Sequence, residues 1–179
     1  MRPVLAALAV LPLLLGGCGF DVSQDDDVEA SVDTVRSGLA ELWSGPGASG
    51  EVVAEGECFA GALMERLSLD ELVEAGIVQD DGSVAVAVPM LTVDVASAWV
   101  DAAGSCTPYA EVAGRVLAER FEGRLDGSGY AACLEGTVGA DGLRSALVAS
   151  LSGDYGSDPA VRELEAAGVT CAQGALTAG

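Results

Sequence analysis

The stretch TVDVASAWVDAAGSCTPYAEVAGRVLAERF, residues 92–121, decides the fold class because it contains the signals of two consecutive helices. Thr92 is placed to cap a first helix over residues 93–103. Thr107 followed by Pro108 is typical of a helix start with proline in the first turn, so a second helix is predicted to follow at once. Two helices joined by so short a link favour a helical fold.

The second of these helices carries apolar residues at intervals of three and four, which is the spacing of one side of an α-helix. We expect this face to pack in the core; it consists of Tyr109, Val112, Val116, Leu117 and Phe121. The charged residues on the other side are expected to face solvent; they are Glu111, Arg115 and Glu119. Trp99 and Tyr109 are expected to be core residues rather than ligand contacts.

Similar helix signals recur elsewhere in the chain. Residues 31–44 are predicted to form a short amphipathic helix, whose apolar positions are Val32, Val35, Leu39, Leu42 and Trp43. Further helix starts are indicated at Ser68, Asp141 and Asp158. Only 4% of the residues are aromatic, so the interior must be built from Ala, Val and Leu, whose small side chains let helices approach closely. The chain is therefore predicted to be all-α, with a compact helical domain.

Residues 77–91 are the exception to the helical pattern. The segment VAVAVP, residues 84–89, alternates between larger and smaller side chains as a strand would, and it follows a turn-like Asp-Asp-Gly. No second strand is evident to pair with it. An extended or helical connector packed on the core is therefore expected, and its conformation stays open.

Four cysteines follow the first one at Cys18: Cys58, Cys106, Cys133 and Cys171. Their wide spacing, without CxxC and without any histidine, argues against zinc and against a redox pair, and favours two structural disulfides. Four cysteines allow three pairings. A weak internal repeat, VDAAGSC at 100–106 against LEAAGVTC at 164–171, favours two related helical halves with the pairs Cys58–Cys106 and Cys133–Cys171. Chance similarity in an alanine-rich chain is the alternative.

Residues 1–17 have the layout of a signal peptide, with Arg2, an apolar run, and two glycines before Cys18. The apolar run is too short to span a bilayer, which needs roughly 20 apolar residues. The sequence LGGC, residues 15–18, resembles the bacterial lipobox. That resemblance implies transfer of a diacylglyceryl group to the thiol of Cys18 and cleavage before it. Lipid anchoring is expected, with ordinary secretion as the alternative.

The remaining chain divides at changes in composition. Residues 18–30, with three consecutive aspartates, are expected to form an acidic tether. Residues 31–50 comprise the short helix and a Gly/Pro linker, and residues 51–179 the helical domain with both disulfides. The order of features after Cys106 resembles a group of actinobacterial four-cysteine helical lipoproteins of no established activity. The resemblance covers the second half loosely and implies architecture only.

Composition excludes several functions. The net charge is −20 and every basic residue is an arginine, so nucleic acid is not an expected partner. Without histidine or lysine, the catalytic devices that need an imidazole or an amine are absent. Carboxylate pairs remain; those at helical spacing are Asp70 with Glu74 and Glu119 with Glu122. A carboxylate-based hydrolase is thus the least favoured function, and no catalytic residue, metal site or cofactor is predicted.

Two functions from different classes remain. The first is a non-catalytic module of the cell envelope that binds an envelope or secreted protein. The second is a carrier of an apolar small molecule or lipid, since helices lined by Ala, Val and Leu can enclose an apolar cavity. A large apolar pocket would favour the carrier, and a solid core with an exposed apolar patch would favour the protein-binding module.

Overall fold

A computed structural model describes residues 24–176, and this part of the chain is all-α, as predicted. The helices are α1 Gln24–Ser44, α2 Gly50–Met64, α3 Leu69–Glu74, α4 Val93–Cys106, α5 Tyr109–Arg120, α6 Gly127–Leu151 and α7 Pro159–Ala175. Extended pairing in the described residues consists of two isolated antiparallel bridges, Val78 with Val84 and Leu125 with Leu176. The expected signal peptide and the lipidation site at Cys18 lie outside the described residues.

The first helix is longer than the periodicity indicates. It begins at Gln24, so residues 24–30, assigned above to a tether, continue the helix, and it ends at Ser44 as expected. No Gly or Pro interrupts this segment, so nothing in it breaks a helix. Val35 and Leu39 are fully buried in the same cluster as side chains of α2, so α1 belongs to the folded core.

Several helix starts agree with the sequence. Ser68 caps α3 in a capping box with Glu71, and the hydroxyl of Thr92 accepts from the backbone N–H of Val95 at the start of α4. Asp158 caps α7 with Pro159 at the first helical position. In each case a short polar side chain satisfies a backbone N–H that has no partner within the helix.

The start of α5 differs from the expectation. Helix α4 continues through Gly104 to Cys106, and the N–H of Thr107 bonds to the carbonyl of Ala103, so Thr107 terminates α4 instead of capping α5. Its backbone is extended, with φ −148° and ψ 131°, as the following proline favours. Pro108 is then the residue that precedes α5, and it provides no side-chain cap.

Helix α6 consists of two segments joined at Gly139, whose φ of 74° and ψ of 162° are not helical. Residues with a Cβ rarely adopt this conformation, so glycine permits the change of direction. The second segment starts where Asp141 indicated a helix. No start was predicted for the first segment, which contains Cys133; its cap is Asp126, which accepts from the N–H of Gly129 at 3.0 Å.

Two hydrophobic clusters form the interior. The first is centred on α1 to α4 and the second on α5 to α7. Fully buried residues of the first cluster include Leu39, Phe59 and Leu72, and Leu134 is the fully buried leucine of the second. Val148 and Leu151, at the end of α6, pack against the first cluster and so connect the two halves.

Both predicted disulfides are present, Cys58–Cys106 and Cys133–Cys171. They close sequence separations of 48 and 38 residues, and each contributes about 4 kcal/mol if it acts by restricting the unfolded chain. The first joins α2 to α4, and the second joins the first segment of α6 to α7. In each half the bridge therefore connects the second helix to the last.

Residues 77–91 form the extended connector that was one of the expected conformations. The N–H of Ala85 bonds to the carbonyl of Ile77, and the N–H of Leu91 bonds to the carbonyl of Leu151 on α6. Val84 packs against the first cluster, whereas Val86 is fully exposed. Val88 also packs against the first cluster, so the connector touches the core at Val84 and Val88 and bulges outward at Val86 between them. The alternation in the sequence therefore does not correspond to one buried side of a strand.

Helices α5 and α6 approach each other so closely that neither backbone has room for a side chain at the crossing. A Cβ placed on Gly114 would overlap the carbonyl oxygen of Gly127, and a Cβ on Gly127 would lie 2.6 Å from the carbonyl oxygen of Gly114. Gly56 on α2 meets the backbone of Ala40 on α1 in the same way, with 2.6 Å to the carbonyl oxygen. Each half is therefore built around a glycine crossing.

We expect Gly114→Ala to destabilise the protein by about 1–3 kcal/mol, because the added methyl group must push α5 and α6 apart. Gly136→Ala is the matched control, since it lies in α6 with nothing within 4 Å of an added Cβ. It should be neutral or stabilise by up to about 1 kcal/mol through helix propensity. Urea unfolding followed by circular dichroism measures both. Equal effects of the two substitutions would contradict the close crossing.

Candidate functional site: a cleft between the two halves

A large cleft of about 1180 Å³ lies where the two halves meet. Its walls come from the end of α1, the linker and start of α2, and from α4, α5 and α6. The apolar lining consists of Trp43, Ala48, Val52, Trp99, Val100, Ala103, Pro108, Tyr109, Ala110, Val112, Val116, Ala140, Leu143, Leu147 and Leu151. Cavities of roughly 300–1,000 Å³ are typical of small-molecule sites, so this cleft has room for a ligand of that size or larger.

An aromatic cluster supports the wall formed by the first half. The ring of Phe59 stacks on Trp43 with centroids 4.6 Å apart and meets Trp99 edge-on at 4.7 Å. Phe59 is fully buried, whereas both tryptophans also line the cleft. Trp99 is therefore a core residue, as expected, and part of the site as well.

The side of α5 that lines the cleft differs from the sequence prediction for this helix. Tyr109 and Val116 are 38% and 53% exposed and line the cleft together with Val112, although the sequence assigned all three to the core. The fully buried positions of α5 are Ala110 and Gly114, because only small residues fit the crossing with α6. Leu117 and Phe121 pack against the second cluster, as predicted. Tyr109 is thus placed to contact a ligand.

The α6 wall depends on the break at Gly139. The segment after it turns Leu143, Leu147 and Leu151 toward the cleft, and Leu143 is at the same time buried in the second cluster. Their spacing of four residues after the helix start at Asp141 predicts that these leucines point inward. The sequence did not indicate that the space these leucines face is a cleft between two clusters. It is equally consistent with a single core.

Two bidentate salt bridges connect the halves at the cleft. Arg115 on α5 donates to both carboxylate oxygens of Glu55 on α2, at 2.8 and 2.6 Å. Arg144 on α6 donates to both oxygens of Asp101 on α4, at 2.7 and 2.9 Å. Both arginines line the cleft. The sequence had predicted that Arg115 faces solvent. Periodicity identifies a polar face but not the acid that will lie opposite it.

These pairs shift the ionisation of their members. Hydrogen bonds from Arg144 lower the pKa of Asp101 below its ordinary value of 3.8, although partial burial opposes the shift. The hydrogen bond to Glu55 raises the pKa of Arg115. Burial raises the pKa of Tyr109 above its ordinary value of 10.0, so its phenol stays neutral at physiological pH.

The carboxylate pairs singled out in the sequence are not brought together around one cavity. Asp70 and Glu74 are exposed on α3, away from the cleft, and Glu119 lines the cleft while Glu122 does not. Asp81, in the turn before the connector, accepts from the N–H and hydroxyl of Ser83 at 2.9 and 2.6 Å. Across residues 32–176, whose side chains the structure describes, no group of three Cys, Asp or Glu side chains is arranged to hold a metal ion.

No protein-family model, curated protein or solved structure matches this chain. The resemblance to actinobacterial lipoproteins stays a prediction. The two disulfides are typical of a protein that folds outside the cytoplasm. Among the helices of the described part, none is long and apolar enough to cross a membrane.

The salt bridge between Asp101 and Arg144 predicts a pH-dependent contribution to stability. The pKa of Asp101 is lower in the folded state than its ordinary value of 3.8. The salt bridge therefore contributes to the free energy of unfolding at pH values above 3.8, and this contribution is lost as the pH falls through the lowered pKa. Both side chains are nearly half exposed, so we expect Asp101→Asn to lower the free energy of unfolding by roughly 0.2–1 kcal/mol at neutral pH.

Thermal unfolding of Asp101→Asn and the unmodified protein, measured at a series of pH values, checks this expectation. The difference between the two midpoints should be largest at neutral pH and shrink in strongly acidic buffer. Asp154→Asn, at an exposed loop position, is the matched control. Its unfolding midpoint should stay close to that of the unmodified protein at both neutral and acidic pH. A difference that stays constant down to strongly acidic pH would contradict the proposed role of the ionised carboxylate.

Proposed function

We propose that this protein is a membrane-anchored extracytoplasmic lipoprotein that carries an apolar small molecule or lipid. The observation that carries the proposal is the cleft of about 1180 Å³ between the two halves, walled by tryptophans, valines and leucines. Concave, mainly apolar sites with a few polar groups are the usual form of small-molecule sites. The cleft makes a carrier the better-supported of the two functions left open by the sequence.

The walls of the cleft are held in place by independent interactions. The Cys58–Cys106 disulfide joins α2 to α4, and both helices contribute to the first wall. The glycine crossing fixes α5 against α6, which form the second wall. A site held in this way needs little ordering when a ligand enters, and less of the binding free energy is lost to conformational entropy.

Burial of apolar ligand surface would supply the driving force. Each buried methylene group contributes about 0.8 kcal/mol, so even a chain of modest length reaches useful affinity. Polar groups in the lining, including Ser44, Ser49 and Thr107, and the phenol of Tyr109 offer hydrogen bonds to a ligand head group. No covalent chemistry on the ligand is part of this proposal.

A protein-binding module of the envelope is the second candidate. One observation favours it: the connector exposes Val86 completely and Met90 to 77%, and Val93 follows at the start of α4 with 60% exposed. Adjacent exposed apolar side chains are a feature of interaction surfaces. This surface is small and lies outside the cleft. It therefore supports a contact with another protein in addition to ligand binding, and not protein binding as the main function.

The anchor is proposed from the sequence, since Cys18 precedes the described residues. The lipobox-like LGGC places Cys18 after an apolar leader, and acyl chains on this residue would hold the protein at the outer face of the cytoplasmic membrane. The disulfides support a location outside the cytoplasm. Secretion without a lipid is the alternative.

We expect Cys18→Ala to move the protein from the membrane fraction to a soluble or secreted fraction, because the thiol that accepts the lipid is lost. Fractionation of the expressing bacterium, with mass measurement of the recovered chain, checks this. Recovery of both disulfides in the variant would show that it is still exported and folded. Full retention of Cys18→Ala in the membrane fraction would contradict lipid anchoring.

Filling the cleft tests the carrier. We expect Val112→Trp to weaken binding of the neutral fluorescent probe N-phenyl-1-naphthylamine by about tenfold or more, equivalent to about 1.4 kcal/mol, because the indole occupies the ligand's space. Val169→Trp is the matched control: Val169 is 60% exposed on α7 and does not line the cleft.

The control should bind the probe as the unmodified protein does, and both variants should keep the helical circular dichroism of the parent. Probe fluorescence that does not rise with the unmodified protein would overturn the carrier proposal. Equal binding by Val112→Trp and Val169→Trp would show that the probe binds elsewhere.

A further inference from the structure

The charged residues of the cleft wall are not balanced. Its two cations, Arg115 and Arg144, are each held by both oxygens of a carboxylate, Glu55 and Asp101 respectively. A bidentate pair uses two of the five N–H donors of the guanidinium and balances its charge. An anionic head group entering the cleft therefore meets no arginine whose charge is unbalanced.

Two acids of the wall are left over. Glu119 on α5 and Glu135 on α6 are exposed, and neither is within salt-bridge distance of an arginine among residues 32–176. Glu119 acts on Arg115 electrostatically, but the hydrogen bonds of that arginine go to Glu55. After the two pairs cancel, the wall keeps a charge of about −2 at neutral pH.

The charges just outside the wall do not reverse this balance. Glu51 acts on Arg115 and Asp141 acts on Arg144, while Arg66 acts on Asp101. These three neighbours are two acids and one base, so together they add one negative charge beside the salt bridges. Negative charge around a cavity with low-dielectric walls attracts cations and repels anions.

The aromatic residues of the cleft favour the same kind of ligand. Trp43, Trp99 and Tyr109 all contribute to the lining. Tryptophan and tyrosine rings attract ammonium groups through their negative faces, and desolvated sites strengthen this attraction. The cleft therefore combines aromatic rings with carboxylates that make no salt bridge, and both attract alkylammonium groups.

We infer that the ligand is a cationic amphiphile, in which a protonated amine or quaternary ammonium group is attached to an apolar body. The apolar body would occupy the wall of valines and leucines, and the ammonium group would lie near Glu119 or Glu135. This inference rests on the proposed carrier function, and it excludes fatty acids and other anionic lipids as the preferred cargo.

Competition with three decyl compounds tests the inference. Decyltrimethylammonium, decanol and decanoate, each below its micelle-forming concentration, are titrated into the full-length protein with bound N-phenyl-1-naphthylamine, and the loss of probe fluorescence is measured. They share one alkyl chain and differ in head-group charge. We expect the cation to compete about tenfold better than decanol, equivalent to about 1.4 kcal/mol, and decanoate to compete worst.

A double variant separates the site from the general acidity of the protein. Glu119→Gln with Glu135→Gln should weaken displacement by decyltrimethylammonium about tenfold and leave displacement by decanol unchanged. Glu163→Gln with Glu165→Gln is the matched control, because both residues are exposed on α7, outside the cleft, and the change in net charge is the same. This control should bind like the unmodified protein.

The outcomes distinguish this inference from the carrier function. If decanol displaces the probe as well as the cation does, or if both double variants lose the same affinity, the inference is overturned and the carrier proposal stands. Better competition by decanoate than by decanol also overturns it. If the probe does not bind in the cleft at all, as judged by Val112→Trp, the carrier proposal falls and the inference falls with it.

Discussion

Helix crossings at glycine are the constraint on which the rest of the structure depends. With few aromatic residues, the interior has to be filled by short side chains, and this succeeds only where backbones come close together. Gly56 allows α2 to reach α1, and Gly114 and Gly127 allow α5 to reach α6. Each crossing produces a tight half with its own apolar cluster. A larger side chain at these positions would separate the helices and open the interior to water.

The cleft follows from having two such clusters and not one. The large apolar residues that are not needed inside either half, such as Tyr109, Val112 and Leu147, face the space between them. The halves are tied together by Val148 and Leu151 and by the two arginine–carboxylate pairs, but these contacts do not fill that space. A single close-packed core would have left no room for a ligand.

Much of this architecture could be predicted from the sequence, because the signals are local. Caps such as Ser68 and Asp158 act within one turn, and the even number of cysteines with a repeated AAG motif indicated the observed pairing. The site could not be predicted. Periodicity shows that Val112 lies on an apolar face but not whether a core or a cleft lies opposite. Likewise, the partner of Arg115 is 60 residues away, and the sequence contains no signal for such a pair.

The two disulfides are consecutive along the chain: one loop closes at Cys106 before the other begins at Cys133. A polypeptide that crosses a membrane N-terminus first presents Cys58 and Cys106 to the oxidising side while Cys171 is still inside. Once Cys18 is acylated, as proposed, the free thiol that Cys106 meets is Cys58, and the one that Cys171 meets is Cys133, so correct pairing does not require the reshuffling that interleaved bridges need. The covalent topology is thus suited to vectorial oxidation, in which each half can be closed and folded as soon as it has crossed.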